Sequence, residues 1–264
     1  MSRISHSVIV APVPRAWFEQ AVVVLLDVVR GTRAEEGQVL LPDGRAIPGV
    51  RLVKGDHLAP GAVYEAEAED GRHQETERLR IVERRSGNDP AVRLEHVLGD
   101  EDTVTVVEGA LHTVSRPVSV ELRGSVRVLG RWASLRRASG DARVDLRAWW
   151  EAAAGRRYSG TPFEAHLEHR LGVATLWAVP RPYGDGRWEV RLVLSLGGRS
   201  LLRPVAALAL PLFRGRLREA FTDTADRTAA VWNEIVPETV SQDRIRLRAR
   251  ILDAAASPPE ETRL

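Results

Sequence analysis

The sequence predicts an α+β domain in which helices gather on one side of a curved antiparallel sheet. Three observations carry this. Many short segments alternate apolar and polar residues between Gly- and Pro-rich turns, as antiparallel strands do. A strand followed by a helix opens the chain. A long stripe at helical spacing closes it: Phe213, Leu217, Phe221, Thr224, Thr228, Trp232 and Ile235.

The elements follow in order. Ile4 to Val10 alternates and reads as a strand, which Pro12 and Pro14 end. Proline is tolerated in a first helical turn, and Trp17, Phe18, Ala21, Val22, Leu25, Leu26 and Val29 recur every three or four residues. A helix over 13–29, stopped by Gly31, is expected. Residues 32–61 hold Pro42-Asp43-Gly44, Pro48-Gly49 and Pro60-Gly61, which are turn signals between short strands. Next comes a hairpin. A four-residue loop, Asp70 to His73, sets Tyr64 opposite Leu79 and Glu65 opposite Arg78, so that like faces meet. Further strands are expected at 77–84, 91–98, 103–109, 117–129 and 142–149. Segments 164–179 and 187–196 form a second hairpin around Pro180 to Gly186. The closing helix is expected over 205–235, and a short helix over 241–256. Residues 1–240 are expected to form one enlarged domain, or else two sheet-bearing halves meeting near 112–117. Residues 241–264 then form the short helix and a frayed tail.

Composition narrows the function classes. The 264 residues are 44% apolar and 28% charged, which suits a chain with a buried core. The 38 basic and 36 acidic residues leave a formal charge of only +2. The pI near 9.5 is high because few groups titrate between about pH 7 and 10, with one Lys (Lys54), three Tyr and no Cys in the chain. No nucleic-acid partner is expected from this balance. With no cysteine, disulfides, thiolate nucleophiles and cysteine-held metals are excluded. The first residues lack a secretory pattern. The longest apolar region, Leu201 to Phe213, is broken by Arg203, Pro204 and Pro211. A cytoplasmic protein without a membrane span is expected.

Short catalytic motifs are absent: no phosphate loop, no dinucleotide fingerprint and no nucleophile elbow occurs. His166 and His169 have the look of a metal pair. On a strand, however, they point to opposite faces, and no metal or cofactor is expected. Lys54-Gly55-Asp56-His57 reads as an exposed turn because Gly55, Pro60 and Gly61 surround it. Seven of the aromatic residues are Trp. Such rings either pack a core or line a small-molecule cavity. In the second case Tyr64, Trp177 and Trp188 are the ring contributors, since each stands on an alternating strand. Tyr64 and His166 then supply orienting hydrogen bonds.

Two stretches resemble a known family. Val8-Ile-Val-Ala-Pro-Val-Pro-Arg-Ala-Trp17 is similar to the opening of START-like helix-grip proteins, the polyketide cyclase/dehydrase and lipid-transport superfamily. Leu201-Leu-Arg-Pro204, leading into a helix that ends Val231-Trp-Asn233, resembles that superfamily's closing segment. The resemblance implies an antiparallel sheet curled around a long C-terminal helix with an apolar cavity between them. It implies non-catalytic binding of a hydrophobic or amphipathic small molecule, or else a cyclase or aromatase acting in the same cavity. The middle of the chain has more strands than a small member needs.

Overall fold

The computed structural model describes residues 2–67, 76–84, 91–99, 103–112, 118–128, 138–170, 172–198 and 203–257. The Asp70–His73 loop, the Phe213 side chain and the tail beyond Ser257 lie outside the described residues. The fold is α+β with antiparallel sheets. In chain order the elements are β1 (Ser2–Val10), α1 (Arg15–Arg30), β2 (Arg33–Glu35), β3 (Gln38–Leu40), β4 (Ala46–Lys54), β5 (Val63–Glu67), β6 (Thr76–Arg84), β7 (Ala91–Gly99), β8 (Thr103–His112) and β9 (Ser119–Val128). Then follow β10 (Ala138–Asp145), α2 (Leu146–Ala153), β11 (Phe163–His169), β12 (Gly172–Pro182), β13 (Trp188–Gly198), α3 (Arg203–Val240) and α4 (Arg244–Ala256). No helix among the described residues is long and apolar enough to cross a membrane. The chain divides into two compact units. The first comprises Met1–Arg15, Val118–Ser125 and Ser134–Ser241, and the second Ala16–Pro117, Val126–Ala133 and Gln242–Leu264.

In the first unit, five strands pair antiparallel in the order β1-β13-β12-β11-β10. The register is continuous, so rows of side chains can be read straight across. One face carries the rows His6-Leu192-Ala178-Phe163-Val144 and Ile4-Leu194-Leu176-Ala165-Ala142. It ends in Val8-Val190-Pro180 and Val10-Trp188-Pro182. The other face carries Arg3-Ser195-Thr175-His166-Asp141 and Ser5-Val193-Trp177-Glu164-Arg143. Strand alternation has sorted apolar from polar residues. The core forms on the apolar face: Val8, Val10, Ala178, Trp188 and Val190 meet Ala153 of α2 and Ala225 and Ala229 of α3.

Two local expectations need correction. Residues 142–149 do not form one strand, because the chain turns into α2 at Leu146. Asp145 causes the change: its side chain accepts from Ala148 N at 2.9 Å and caps the helix. Leu146, Ala148, Ala152 and Ala153 are then buried, and Trp149 meets Trp188 edge-on at 6.2 Å. Residues 164–179 hold two strands, since His169 pairs with Gly172 across a tight turn. Glycine is needed at 172, where a Cβ would stand 2.6 Å from Gly197 O.

α3 spans the predicted 205–235, and α4 follows it. Its inner face differs from the stripe of large residues. Trp232 and Ile235 are exposed (39% and 49%), Phe221 is half-buried, and the small Ala225 and Ala229 sit against the sheet. Alanine lets the helix approach closely. Asn233 then bonds the outer edge of β1. Its Oδ1 accepts from Ala11 N at 2.7 Å and its Nδ2 donates to Ile9 O at 2.9 Å. Trp232 Nε1 donates to Ala11 O at 2.9 Å. One side-chain amide thus satisfies two of the groups at the end of this edge that another strand could otherwise seek.

The second unit is a meander, β8-β7-β6-β5-β4-β3-β2, with α1 and α4. The predicted register holds: Tyr64 pairs with Leu79 and Glu65 with Arg78, whose side chains meet at 2.7 Å. Val39, Ala62, Tyr64 and Ile81 form one cluster, and Val28, Leu41 and Leu252 another. Asp243 caps α4 by accepting from Arg246 N at 2.8 Å.

Two substitutions test the α3 seat. Asn233→Leu leaves Ile9 O and Ala11 N without this partner and should cost about 1–3 kcal/mol in urea unfolding. Ala229→Leu should cost about as much by overpacking against β1 and β13. Unchanged stability in both would mean that α3 is not seated through this face.

Candidate functional site

Three polar constellations stand out, and the residues expected to line one cavity are distributed among them. Trp188 lies in the first unit's core, on the α3 side of the sheet. Trp177 and His166 lie on the opposite face, because Trp177 pairs with Val193 and not with an even-numbered β13 residue. Tyr64 belongs to the second unit. The structure therefore brings Trp177 and His166 together, and sets Trp188 on the other side of their sheet.

Glu164 is what joins Trp177 to His166. Its Oε1 accepts from Trp177 Nε1 at 2.8 Å and lies 3.2 Å from His166 Nε2. His166 Nδ1 lies 3.2 Å from Thr175 Oγ1. The Arg3 guanidinium stands 5.9 Å from the Trp177 ring centroid. Cross-strand register alone places these groups, as Glu164 pairs with Trp177 and His166 with Thr175. His166 and His169 do stand on opposite faces of β11, and among the described residues no three His, Asp or Glu side chains converge to hold a metal.

On the α3 side His6 and Asp226 form a polar pair, with Nε2 and Oδ1 2.7 Å apart. His6 shares a row with Leu192, Ala178 and Phe163, and it borders an apolar strip. Leu176, Leu192, Leu194 and Leu196 are only partly buried there, and Leu167 is 53% exposed. Phe221 and Leu217 of α3 are partly buried as well. Large apolar groups left partly open over a sheet can receive an apolar ligand.

In the second unit Tyr64 anchors a directed relay. Leu58 N donates to Tyr64 Oη at 2.8 Å, and Oη lies 3.0 Å from His57 Nδ1. His57 Nε2 lies 2.9 Å from Thr32 Oγ1, which donates to Val29 O at 2.6 Å. The Thr32 proton is spent on Val29, so His57 Nε2 must donate and Nδ1 must accept the Tyr64 proton. In neutral His57 the relay selects the Nε2–H tautomer. Burial pushes the His57 imidazole below its ordinary value, opposed by hydrogen bonding to Thr32. Burial pushes Tyr64 up. The same bonds hold Leu58 at φ 58°, a left-handed conformation rare for a branched side chain. Lys54 ends β4 and Gly55–His57 lead into the turn, with Lys54 and Asp56 exposed as the sequence implies but His57 half-buried and held by two partners.

Sequence reasoning missed His57, Glu164 and the His6–Asp226 pair. Asp226 stands 220 residues from His6 and Thr32 25 residues from His57, whereas the cross-strand pairing of Glu164 with Trp177 is open to a register argument. No protein-family model, no curated protein and no solved structure matches this chain.

The relay has a signed pH dependence. The folded state holds His57 neutral, so the unfolded chain binds its proton first. The stabilisation is complete above the ordinary histidine value of about 6.5 and is lost as pH falls through the lower, folded value. Tyr64→Phe, which removes the hydroxyl that bonds Leu58 N and His57 Nδ1, should cost about 1–3 kcal/mol at pH 8. Urea unfolding of His57→Gln and the parent from pH 8 to pH 5 checks the sign. A parent that gains stability relative to the variant on acidification contradicts the relay.

Proposed function

We propose that the first unit binds a hydrophobic or amphipathic small molecule, without catalysis, between the apolar face of β1-β13-β12-β11-β10 and α3. This is the helix-grip plan to which the two ends of the chain are similar. The observation that carries the reading is the uneven filling of that face. At its Val8–Trp188 end, Ala153, Ala225 and Ala229 close the core. Toward Leu194 and Leu196 the leucines stay partly open, and Leu167 is 53% exposed. An apolar chain laid there removes that surface from water, at roughly 25 cal/mol per Å². His6 and Asp226 sit at the margin and suit a polar headgroup.

A second reading, a cyclase or aromatase at the same place, draws support from the same pair. An imidazole held at 2.7 Å by a carboxylate is the arrangement of an oriented general base. Turnover that His6→Ala abolishes while ligand binding persists would favour the enzyme.

The binding reading is tested with a dansyl-labelled fatty acid. Saturable binding is expected, and a buried cation in Leu167→Arg or Leu194→Arg should weaken it about tenfold or more. Leu167 is exposed enough for its variant to fold. Trp177→Ala, on the opposite face, should bind as the parent does. Loss of binding in Trp177→Ala with retention in both leucine variants would move the site to the polar face and end this proposal.

A further inference from the structure

We propose that the end of the first unit formed by the α2–β11 loop and the β12–β13 turn is a docking surface for single-stranded nucleic acid. Several contacts bring these segments to one place. Pro182 pairs with Trp188, and Trp188 with Val10, so the turn caps the same sheet end that β1 reaches. A Cβ on Gly155 would stand 3.3 Å from Pro182 Cγ, which seats the loop beside the turn. Arg156 N donates to Glu151 O at 2.8 Å and Tyr183 N to Arg187 O at 2.9 Å, so both loops have fixed backbones.

What they present is cationic and aromatic. Arg156, Arg157, Arg181 and Arg187 are exposed, and among the described residues none forms an ion pair. Tyr158 and Tyr183 are 40% and 44% exposed. The Arg187 guanidinium stands 5.8 Å from the Tyr183 ring centroid and stiffens that ring. Gly184 and Gly186 have open space where a Cβ would be, so a phosphate can reach the backbone. The nearby carboxylates are few or engaged. Asp145 caps α2, Glu151 bonds Arg147 at 3.2 Å, Glu189 is half-buried, and Asp185 alone stands exposed in the turn. Glu234 and Glu238 belong to the α3 turns beside the β1 edge.

The chemistry chooses among polyanions. Guanidiniums take phosphates, and exposed tyrosines stack on unpaired bases. The loops offer no helix for a duplex groove. Arg156–Thr161 and Arg181–Arg187 contain no Leu, Ile, Val, Phe or Trp to enter a bilayer. The formal charge of +2 averages over the whole chain and conceals this local excess.

The test is fluorescence anisotropy of a labelled oligothymidylate of about twenty nucleotides with the full chain. Binding should weaken with salt at a log–log slope of about −2 to −3, as about four single-strand phosphate contacts imply. The variant R156A/R157A/R181A/R187A should lose most of that slope, and Tyr158→Ala should weaken binding about fivefold or more. All five positions are exposed, and circular dichroism checks that the variants fold. Four results would each overturn the proposal: no salt-dependent binding by the parent, unchanged binding by the four-arginine variant, equal competition by polyglutamate, or uptake by phosphatidylserine vesicles without oligonucleotide binding.

Discussion

The antiparallel pairing of β1 with β13 joins the first strand of the chain to its last, in one unbroken register from Ser2–Leu196 to Val10–Trp188. Everything functional in the first unit depends on that register. Side chains alternate with a period of two, so a slip of one residue would send Ile4, Val8 and Val10 to the polar side and bring Arg3, Ser5 and Ser7 under α3. The slip is opposed from both directions. Val8, Val10 and Val190 are buried, whereas Arg3, Ser5 and Ser7 are exposed. Asn233 adds a second lock because its amide fits only the outward pair Ile9 O and Ala11 N. His6 and Asp226 add a third, one helical stretch earlier. These contacts are distant in sequence and bear the loop-closure cost of non-local pairing.

How much of this is legible in the sequence depends on the range of the deciding interaction. The β5–β6 register is legible because only one alignment matches Tyr64 with Leu79 and Glu65 with Arg78. The opposed directions of His166 and His169 follow from strand geometry alone. The inner face of α3 is not legible. Hydrophobic periodicity weights Phe221, Trp232 and Ile235, but Ala225 and Ala229 are what pack on the sheet, where their small side chains allow close approach. α2 is too short for a periodic signal, and the deciding feature is one Asp145 cap. The turn between β11 and β12 is hidden because alternation continues through it.

The candidate sites divide along the same line. A ring on an alternating strand was expected to point to the core, which holds for Trp188 and Tyr64. Trp177 breaks the rule because its register position puts it on the polar face, in the row of Ser5, Val193, Glu164 and Arg143. On its side Glu164 accepts a hydrogen bond from the indole N–H, so the ring pairs with a carboxylate instead of leucines. Composition counts rings but not the face each occupies, and only the register of β11, β12 and β13 distinguishes them. The His57 relay is illegible for a related reason. Thr32, His57 and Tyr64 sit on three separate elements, and a Gly- and Pro-rich turn looks solvated until its imidazole has two partners.

Function in the first unit then becomes a question of what each surface leaves unsatisfied. The Trp188 end is filled on its apolar face by alanines, so its chemistry moves outward to the loops, where unpaired guanidiniums and tyrosine rings collect. The Leu194–Leu196 end keeps partly open leucines, and the rows Ile4-Leu194-Leu176-Ala165-Ala142 and Leu196-Ala174-Leu167 on that face are uncharged. The polar face between them is already paired: Glu164 serves both Trp177 and His166, and Thr175 meets the remaining imidazole nitrogen. A buried or half-buried polar group with its partners in place gains little from a ligand, because binding would have to replace bonds already made. An uncovered leucine sheds unfavourable hydration on binding, and an exposed guanidinium exchanges its hydration for a phosphate while counterions are released. The two ends are therefore the places where a ligand adds the most free energy, and they ask for different ones: an apolar chain at the leucine end and a polyanion at the arginine end.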